Sequence, residues 1–134
     1  MAAHLTLDGK VISGTGEGKK YIRLRWVKTQ IKQKLGFTPF LGTLNLQLSP
    51  ESQKHRKLLE TQKNALKIEP AEGYCVGLIF PAYIGETPCG IVLPQVANYP
   101  ENLLEVVAPV NLRGFLHLND GDALAVNVKI QETL

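Results

Sequence analysis

Gly42-Thr43-Leu44-Asn45-Leu46-Gln47-Leu48 is the stretch on which the reading of this chain turns. Leu44, Leu46 and Leu48 alternate with Thr43, Asn45 and Gln47. A period of two places the leucines on one face and the polar side chains on the other, so Leu41 to Leu48 reads as a half-buried strand. Directly after it, Ser49-Pro50-Glu51 is a helix start: a capping serine, proline at the first helical position and an acid in the first turn. The polar segment Pro50 to Gln62, with Leu58 and Leu59, reads as a surface helix, and Lys54-His55-Arg56-Lys57 as its solvated face.

Working outward towards the N-terminus, Trp26 to Leu35 reads as a second helix. Trp26, Val27, Ile31 and Leu35 share a broad face, and Gly36 stands just past the end. Tyr21 to Leu24 reads as a short strand, and Leu5 to Ser13 as a longer one that runs into a glycine-rich loop. Towards the C-terminus, Ala65 to Ile68, Cys75 to Phe80 and Gly90 to Leu93 read as strands, separated by Glu72-Gly73 and Gly85-Glu86-Thr87-Pro88. Leu103 to Ala108 is another strand and Asn111 to Phe115 a turn or short helix. Asn119-Asp120-Gly121-Asp122 is a turn. Ala123 to Ile130 closes the chain as an alternating strand with Leu124, Val126, Val128 and Ile130 inward. Six to eight short strands and two helices that do not alternate regularly point to a mainly β protein. A small closed barrel is the natural solution, because closure removes exposed edges.

Composition agrees with one domain over residues 1–134. Hydrophobic residues make up 44% and charged residues 20%, enough Val, Ile and Leu for a core and too many for a disordered chain. No apolar run approaches the ~18 residues of a membrane span, and no secretory signal is expected at the start. Cys75 and Cys89 make no metal-ligand pattern. They read as free thiols of a reducing cytoplasm, a single disulfide being the alternative. The net charge of +3 falls short of a dedicated nucleic-acid binder, so neither nucleic acid nor membrane is expected as a partner, but it would favour a polyanionic substrate.

Four features could carry chemistry. In Gly14-Thr15-Gly16-Glu17-Gly18-Lys19 the glycines let backbone N–H groups approach a phosphate, with Lys19 and Lys20 adding charge. It is not a Walker A loop, which needs glycine where Ser13 stands and Ser or Thr where Lys20 stands. Nor is it a dinucleotide fingerprint: the third glycine comes one residue early and no long helix is expected after it. A plain hairpin turn fits the spacing equally well. Thr43 and Asn45 put a hydroxyl and an amide oxygen side by side, hard ligands of the kind Mg²⁺ takes together with substrate phosphates; a solvated polar face is the plainer reading. Glu105 interrupts the apolar run Leu103 to Ala108, and either faces water or lines a pocket as a base or hydroxyl-binding group. Arg113 fits a phosphate contact or a surface ion pair. His4, His55 and His117 form no pattern. Trp26 with Tyr21 suits base stacking less well than packing of the helix on the barrel.

Together these stretches, with Leu35-Gly36-Phe37 and Pro39, Gly42-Thr43-Leu44-Asn45-Leu46, Leu104-Glu105-Val106-Val107-Ala108-Pro109, Leu112-Arg113 and Leu118-Asn119-Asp120-Gly121-Asp122, resemble the archaeal CTP-dependent riboflavin kinases along nearly the whole chain. The resemblance implies a six-stranded cradle-loop (RIFT-like) β-barrel with one or two peripheral helices, phosphorylation of riboflavin to FMN, CTP as donor, Mg²⁺ and a cytoplasmic location. It implies nucleotide binding by Gly14, Thr15, Gly16, Glu17, Gly18 and Lys19 and by Val110, Asn111, Leu112 and Arg113. It places Mg²⁺ on Thr43 and Asn45, and Glu105 near the ribityl chain or its 5′-hydroxyl, with Glu105 and Arg113 as the catalytic pair. Some family members carry an N-terminal helix-turn-helix domain, for which this chain is too short. Three departures stand out, one of them a Pro50 to Gln62 helix longer than the family leads one to expect, to which no function is assigned. Ala97 occupies a flavin-contact position where the family has a hydroxyl residue, so that hydrogen bond is lost or replaced. Asn111-Leu112-Arg113-Gly114 stands where the family commonly has Lys-Leu-Arg-Glu, which bears on the strictness of CTP preference. The alternatives are a non-catalytic flavin- or nucleotide-binding barrel and a swapped-hairpin DNA-binding regulator, the latter opposed by the low net charge.

Overall fold

The leucine alternation forms strand β2 (Leu44–Leu48), and its three leucines are buried. The computed structural model describes residues 2–14, 17–62 and 65–131. The other strands are β1 (Ala2–Ile12), β3 (Leu66–Ile68), β4 (Gly77–Ile84), β5 (Thr87–Pro94), β6 (Leu103–Val107) and β7 (Ala123–Gln131). The helices are α1 (Glu17–Arg23), α2 (Arg25–Leu35), α3 (Pro50–Glu60) and α4 (Leu112–Phe115). Strands run in the order β4-β5-β6-β2-β1-β7, and β7 pairs back onto β4 through Ala82 and Tyr83. This closes a six-stranded antiparallel barrel, with β3 added outside on β4. The sheet therefore has few free edges.

Two apolar layers hold it together. Inside the barrel pack Leu7, Val11, Leu46, Phe80, Leu104, Val126 and their neighbours. Outside it, Ile79, Val92 and Val107 meet Ile22, Val27 and Ile31 of α1 and α2. Strands β4, β5 and β6 are thus buried on both faces here, and each such large aliphatic side chain contributes about 1.5–3 kcal/mol. The end of α2 presses so closely on β5 that a Cβ on Gly90 would run into the Leu35 side chain. Helix α3 begins as its sequence dictates: the Ser49 hydroxyl accepts a hydrogen bond from the Ser52 backbone N–H at 3.2 Å. The Ser52 hydroxyl in turn accepts from the Asp8 N–H at 2.8 Å, and Leu59 enters the barrel core.

The structure corrects several local expectations. Residues 21–24 do not form a strand: Tyr21 and Ile22 belong to α1, and Leu24 links α1 to α2. The β-favouring side chains mislead because Ile22 is buried by packing on the outer face of the sheet, and tertiary packing overrides propensity. The glycine-rich stretch is not wholly loop: from Glu17 it opens a helix, and this is short, seven residues, as expected. Among the described residues the barrel carries four helices: α2 and α3 are the two expected, α4 is the short helix allowed for at Asn111 to Phe115, and α1 is additional. The strands expected at Cys75 to Phe80 and Gly90 to Leu93 extend further towards their shared turn: Pro81 lies within β4 and Pro88 within β5, and the turn is only Gly85-Glu86. Pro81 is tolerated because at that point β4 pairs on one side only, with Gly90. The run 54–57 is not a uniformly solvated face, since Arg56 is buried.

Candidate active site

Register brings the scattered candidates together. Asn45 lies opposite Ile12 on β1 and opposite Glu105 on β6. Thr43, just before β2, donates from Oγ1 to Glu105 Oε1 at 3.3 Å, and Asn45 Nδ2 donates to the Thr43 carbonyl at 3.5 Å. Glu105 itself is buried (9% exposed) and accepts a second bond on Oε2 from the Tyr99 hydroxyl at 2.6 Å. Two donors from different segments therefore fix both carboxylate oxygens. Burial, and then the adjacent Glu105 carboxylate, push the Tyr99 phenol well above its ordinary value, so it remains a protonated donor.

This group stands at the border of two hollows. One, of about 470 Å³, is walled by Tyr21, Ile22, Leu24, Tyr74 and Val92, with Thr43, Tyr99 and Glu105 as polar groups and Lys20 at its side. Trp26 backs this wall, edge-on to Tyr21 and Tyr74 with ring centroids 6.0 and 5.2 Å away. Mostly apolar walls with a few convergent polar groups are the usual make-up of a small-molecule site. Burial, with a smaller push from Glu105, raises the Tyr21 phenol to about 12. The other hollow, of about 70 Å³, is lined by Phe40, Gly42, Thr43 and the segment Val110 to Arg113. Thr43 lines both.

The glycine-rich loop reaches the same place. A Cβ on Gly14 would lie 2.9 Å from Asn45 Cγ and closer still to its Nδ2, so only glycine allows this approach. Ser13 donates to Asp120 Oδ2 at 2.8 Å. Arg113 donates to the Ile12 carbonyl at 3.1 Å and pairs with Asp120; these contacts hold the Asp120 carboxyl below its ordinary value. Arg113 is thus the ion-pair residue of the plainer reading and also lines the smaller hollow. Thr15 and Gly16 lie outside the described residues, and Glu17, Gly18 and Lys19 open α1. Val110, Asn111 and Leu112 line the smaller hollow. Ala97 is exposed and does not line the larger one; Val96 and Tyr99 on either side of it do.

A family model described as "CTP-dep_RFKase: Domain of unknown function DUF120" matches residues 11–128. The chain belongs to the CTP-dependent riboflavin kinase family. Proteins named riboflavin kinase resemble it closely. That of Methanosarcina barkeri is 38% identical over 133 residues, 96% of this chain and 59% of that protein. That of Methanospirillum hungatei is 40% identical over 129 residues, 94% of this chain and 58% of that protein. That of Ignicoccus hospitalis is 39% identical over 127 residues, 92% of this chain and 71% of that protein. The chain spans about three fifths of the length of the first two. The match to the CTP-dependent riboflavin kinase family thus takes in the glycine-rich loop, Thr43, Asn45, Glu105 and Arg113.

Sequence reading passed over Tyr99, Tyr74 and Arg56. Tyr99 could have been singled out as the hydroxyl residue nearest to Ala97. Tyr74 and Arg56 carry no local signal. As for a divalent cation, no cluster of three or more His, Cys, Asp or Glu side chains gathers among the described residues. The Thr43 hydroxyl and Asn45 amide oxygen, beside the Glu105 carboxylate, are hard donors that suit an ion sharing its shell with water and phosphate.

Proposed function

We propose that this chain transfers the γ-phosphate of CTP to the 5′-hydroxyl of riboflavin, giving FMN and CDP. The observation that carries the reading is Thr43, which lines both hollows while its hydroxyl bonds Glu105. The larger, aromatic-walled hollow has room for the isoalloxazine ring, with the ribityl chain running towards Glu105. The smaller one, between Thr43 and Val110 to Arg113, marks the side on which the nucleotide binds, and the stretch from Gly14 to Lys19 supplies contacts to its phosphates. The relatives' name, riboflavin kinase, and the CTP-dependence in the family's name support the same assignment.

Phosphoryl transfer asks for positioning and charge neutralisation more than covalent chemistry. Glu105 accepts the proton of the 5′-hydroxyl as the new O–P bond forms and the bond to the β,γ-bridging oxygen breaks. Tyr99 and Thr43 hold the carboxylate for that task. Arg113 and Lys19 supply positive charge for the phosphates. Thr43 and Asn45 would hold Mg²⁺, which would supply charge neutralisation at the phosphate oxygens. Tyr99 supplies the flavin-side hydroxyl that Ala97 lacks, and Asn111 and Gly114 set how strictly the base of the nucleotide is chosen.

The test is a donor screen: purified protein, riboflavin, Mg²⁺ and each of CTP, ATP, GTP and UTP, with FMN separated by chromatography. FMN from CTP is the expected result, and FMN from several donors would place base selectivity in the altered 111–114 segment. Folded protein that binds riboflavin but makes no FMN with any donor would refute the kinase reading in favour of a binding-only barrel.

A further inference from the structure

Arg56 does not behave like its helix. Helix α3 is largely polar, yet Arg56 is 4% exposed. Burying a guanidinium is costly unless its donors are matched. Here the two hydrogen bonds converge on one segment, while the buried Nε has no partner among the described residues. Arg56 Nη1 donates to the Pro100 carbonyl at 2.8 Å and to the Leu103 carbonyl at 2.6 Å. Its guanidinium carbon lies 5.4 Å from the centroid of the Tyr99 ring, and Nη2 is 3.8 Å from Glu60 Oε1. One buried side chain thus holds the ring whose hydroxyl bonds Glu105 and the backbone two residues ahead of Glu105.

We propose that Arg56 is a positioning residue for the reaction: by clamping residues 99–103 it sets the Tyr99 hydroxyl, and through it the Glu105 carboxylate, against the acceptor hydroxyl. The inference rests on the kinase reading above. The clamp needs arginine, because its guanidinium reaches two carbonyls through Nη1 and Glu60 through Nη2 while standing over an aromatic ring; a lysine ammonium could bond the carbonyls but has no second nitrogen and no planar group for the ring. It also gives α3 a function in the site, although the helix supplies no residue to the larger hollow.

The test uses the full chain and the variants Tyr99→Phe, Arg56→Lys, Arg56→Met and the double variants with Tyr99→Phe. It reads kcat and the riboflavin KM separately, with the melting temperature alongside. Tyr99→Phe should lower kcat by ~10-fold, the scale of one lost hydrogen bond to a charged group, with KM moving less. Arg56→Lys should show the same kcat-weighted loss, and adding it to Tyr99→Phe should cost little more, because the two act in one chain. A kcat for Arg56→Lys equal to that of the wild type would overturn the inference, as would losses that multiply in the double variant. A merely structural arginine would lower the melting temperature and leave kcat in place. Should Arg56→Met fail to fold, the lysine cycle decides the matter. Absence of FMN from the wild type with every donor is a different result, and overturns the kinase reading itself.

Discussion

Replacing Gly14 with alanine isolates the contact between the glycine-rich loop and the proposed metal ligands. The new Cβ would stand 2.9 Å from Asn45 Cγ, where ordinary contact begins at 3.4 Å. The amide must therefore withdraw by at least about 0.5 Å, and its Nδ2 by more, a displacement that close packing resists but a side-chain rotation accommodates. Because the obstacle is the end of a side chain rather than backbone, stability should fall by less than about 1 kcal/mol. Activity should suffer far more: misplacing a positioning group by a fraction of an ångström to 1 Å costs about 10- to 100-fold. The assay is FMN formation across a Mg²⁺ titration, with thermal melting as a control. Gly14→Ala should need more Mg²⁺ for half-maximal rate. Combined with Asn45→Ala, which removes the obstacle, it should add little to the loss from Asn45→Ala alone. Wild-type turnover and Mg²⁺ dependence in Gly14→Ala would refute the reasoning, and so would independent effects in the double variant.

Three further outcomes are expected. Glu105→Gln keeps the shape and one acceptor for Tyr99, so the protein should melt near the wild-type temperature while transfer slows by about 100-fold; an unchanged rate removes Glu105 from the mechanism. Cys89 is buried and Cys75 exposed, and burial raises the Cys89 thiol to about 12. An acid whose folded value is raised contributes stability that is complete below its unfolded value of 9.0 and is lost as pH rises towards 12. Cys89→Ala should therefore lose less stability than the wild type between pH 9 and 12, measured by denaturant melts, and a thiol reagent should label Cys75 at once and Cys89 only on unfolding. Ser49→Ala removes the cap of α3 and should cost about 1 kcal/mol, read as a shift in the denaturant midpoint; no shift would mean that the hydrogen bond at Ser52 contributes nothing.

Much of the barrel is legible in the chain because strands and helix starts write themselves locally. The 44–48 alternation, the Ser49-Pro50 start, the Gly121 turn and the alternation over 124–130 all become the expected elements. Where a segment is buried on two sides, local period loses its meaning. Tyr21 and Ile22 look like strand residues, yet they belong to a helix whose Ile22 is pressed on the outside of the sheet. Pro81 and Pro88 look like ends of strands, but β4 and β5 run through them.

The candidate site divides in the same way. Residue types at their spacings single out Gly14, Thr43, Asn45, Glu105 and Arg113, since glycine, hard oxygen ligands and a lone carboxylate in an apolar run are conspicuous in any fold. That Thr43 touches Glu105 across 62 positions, that Gly14 rests on Asn45, that Ala97 stays outside the hollow while Tyr99 enters it, and that Arg56 turns inward are matters of tertiary structure alone. The reason is physical: a side chain's neighbours across a barrel are set by strand register and closure, which depend on the whole chain packing at once, whereas composition and period report only what a segment can do by itself.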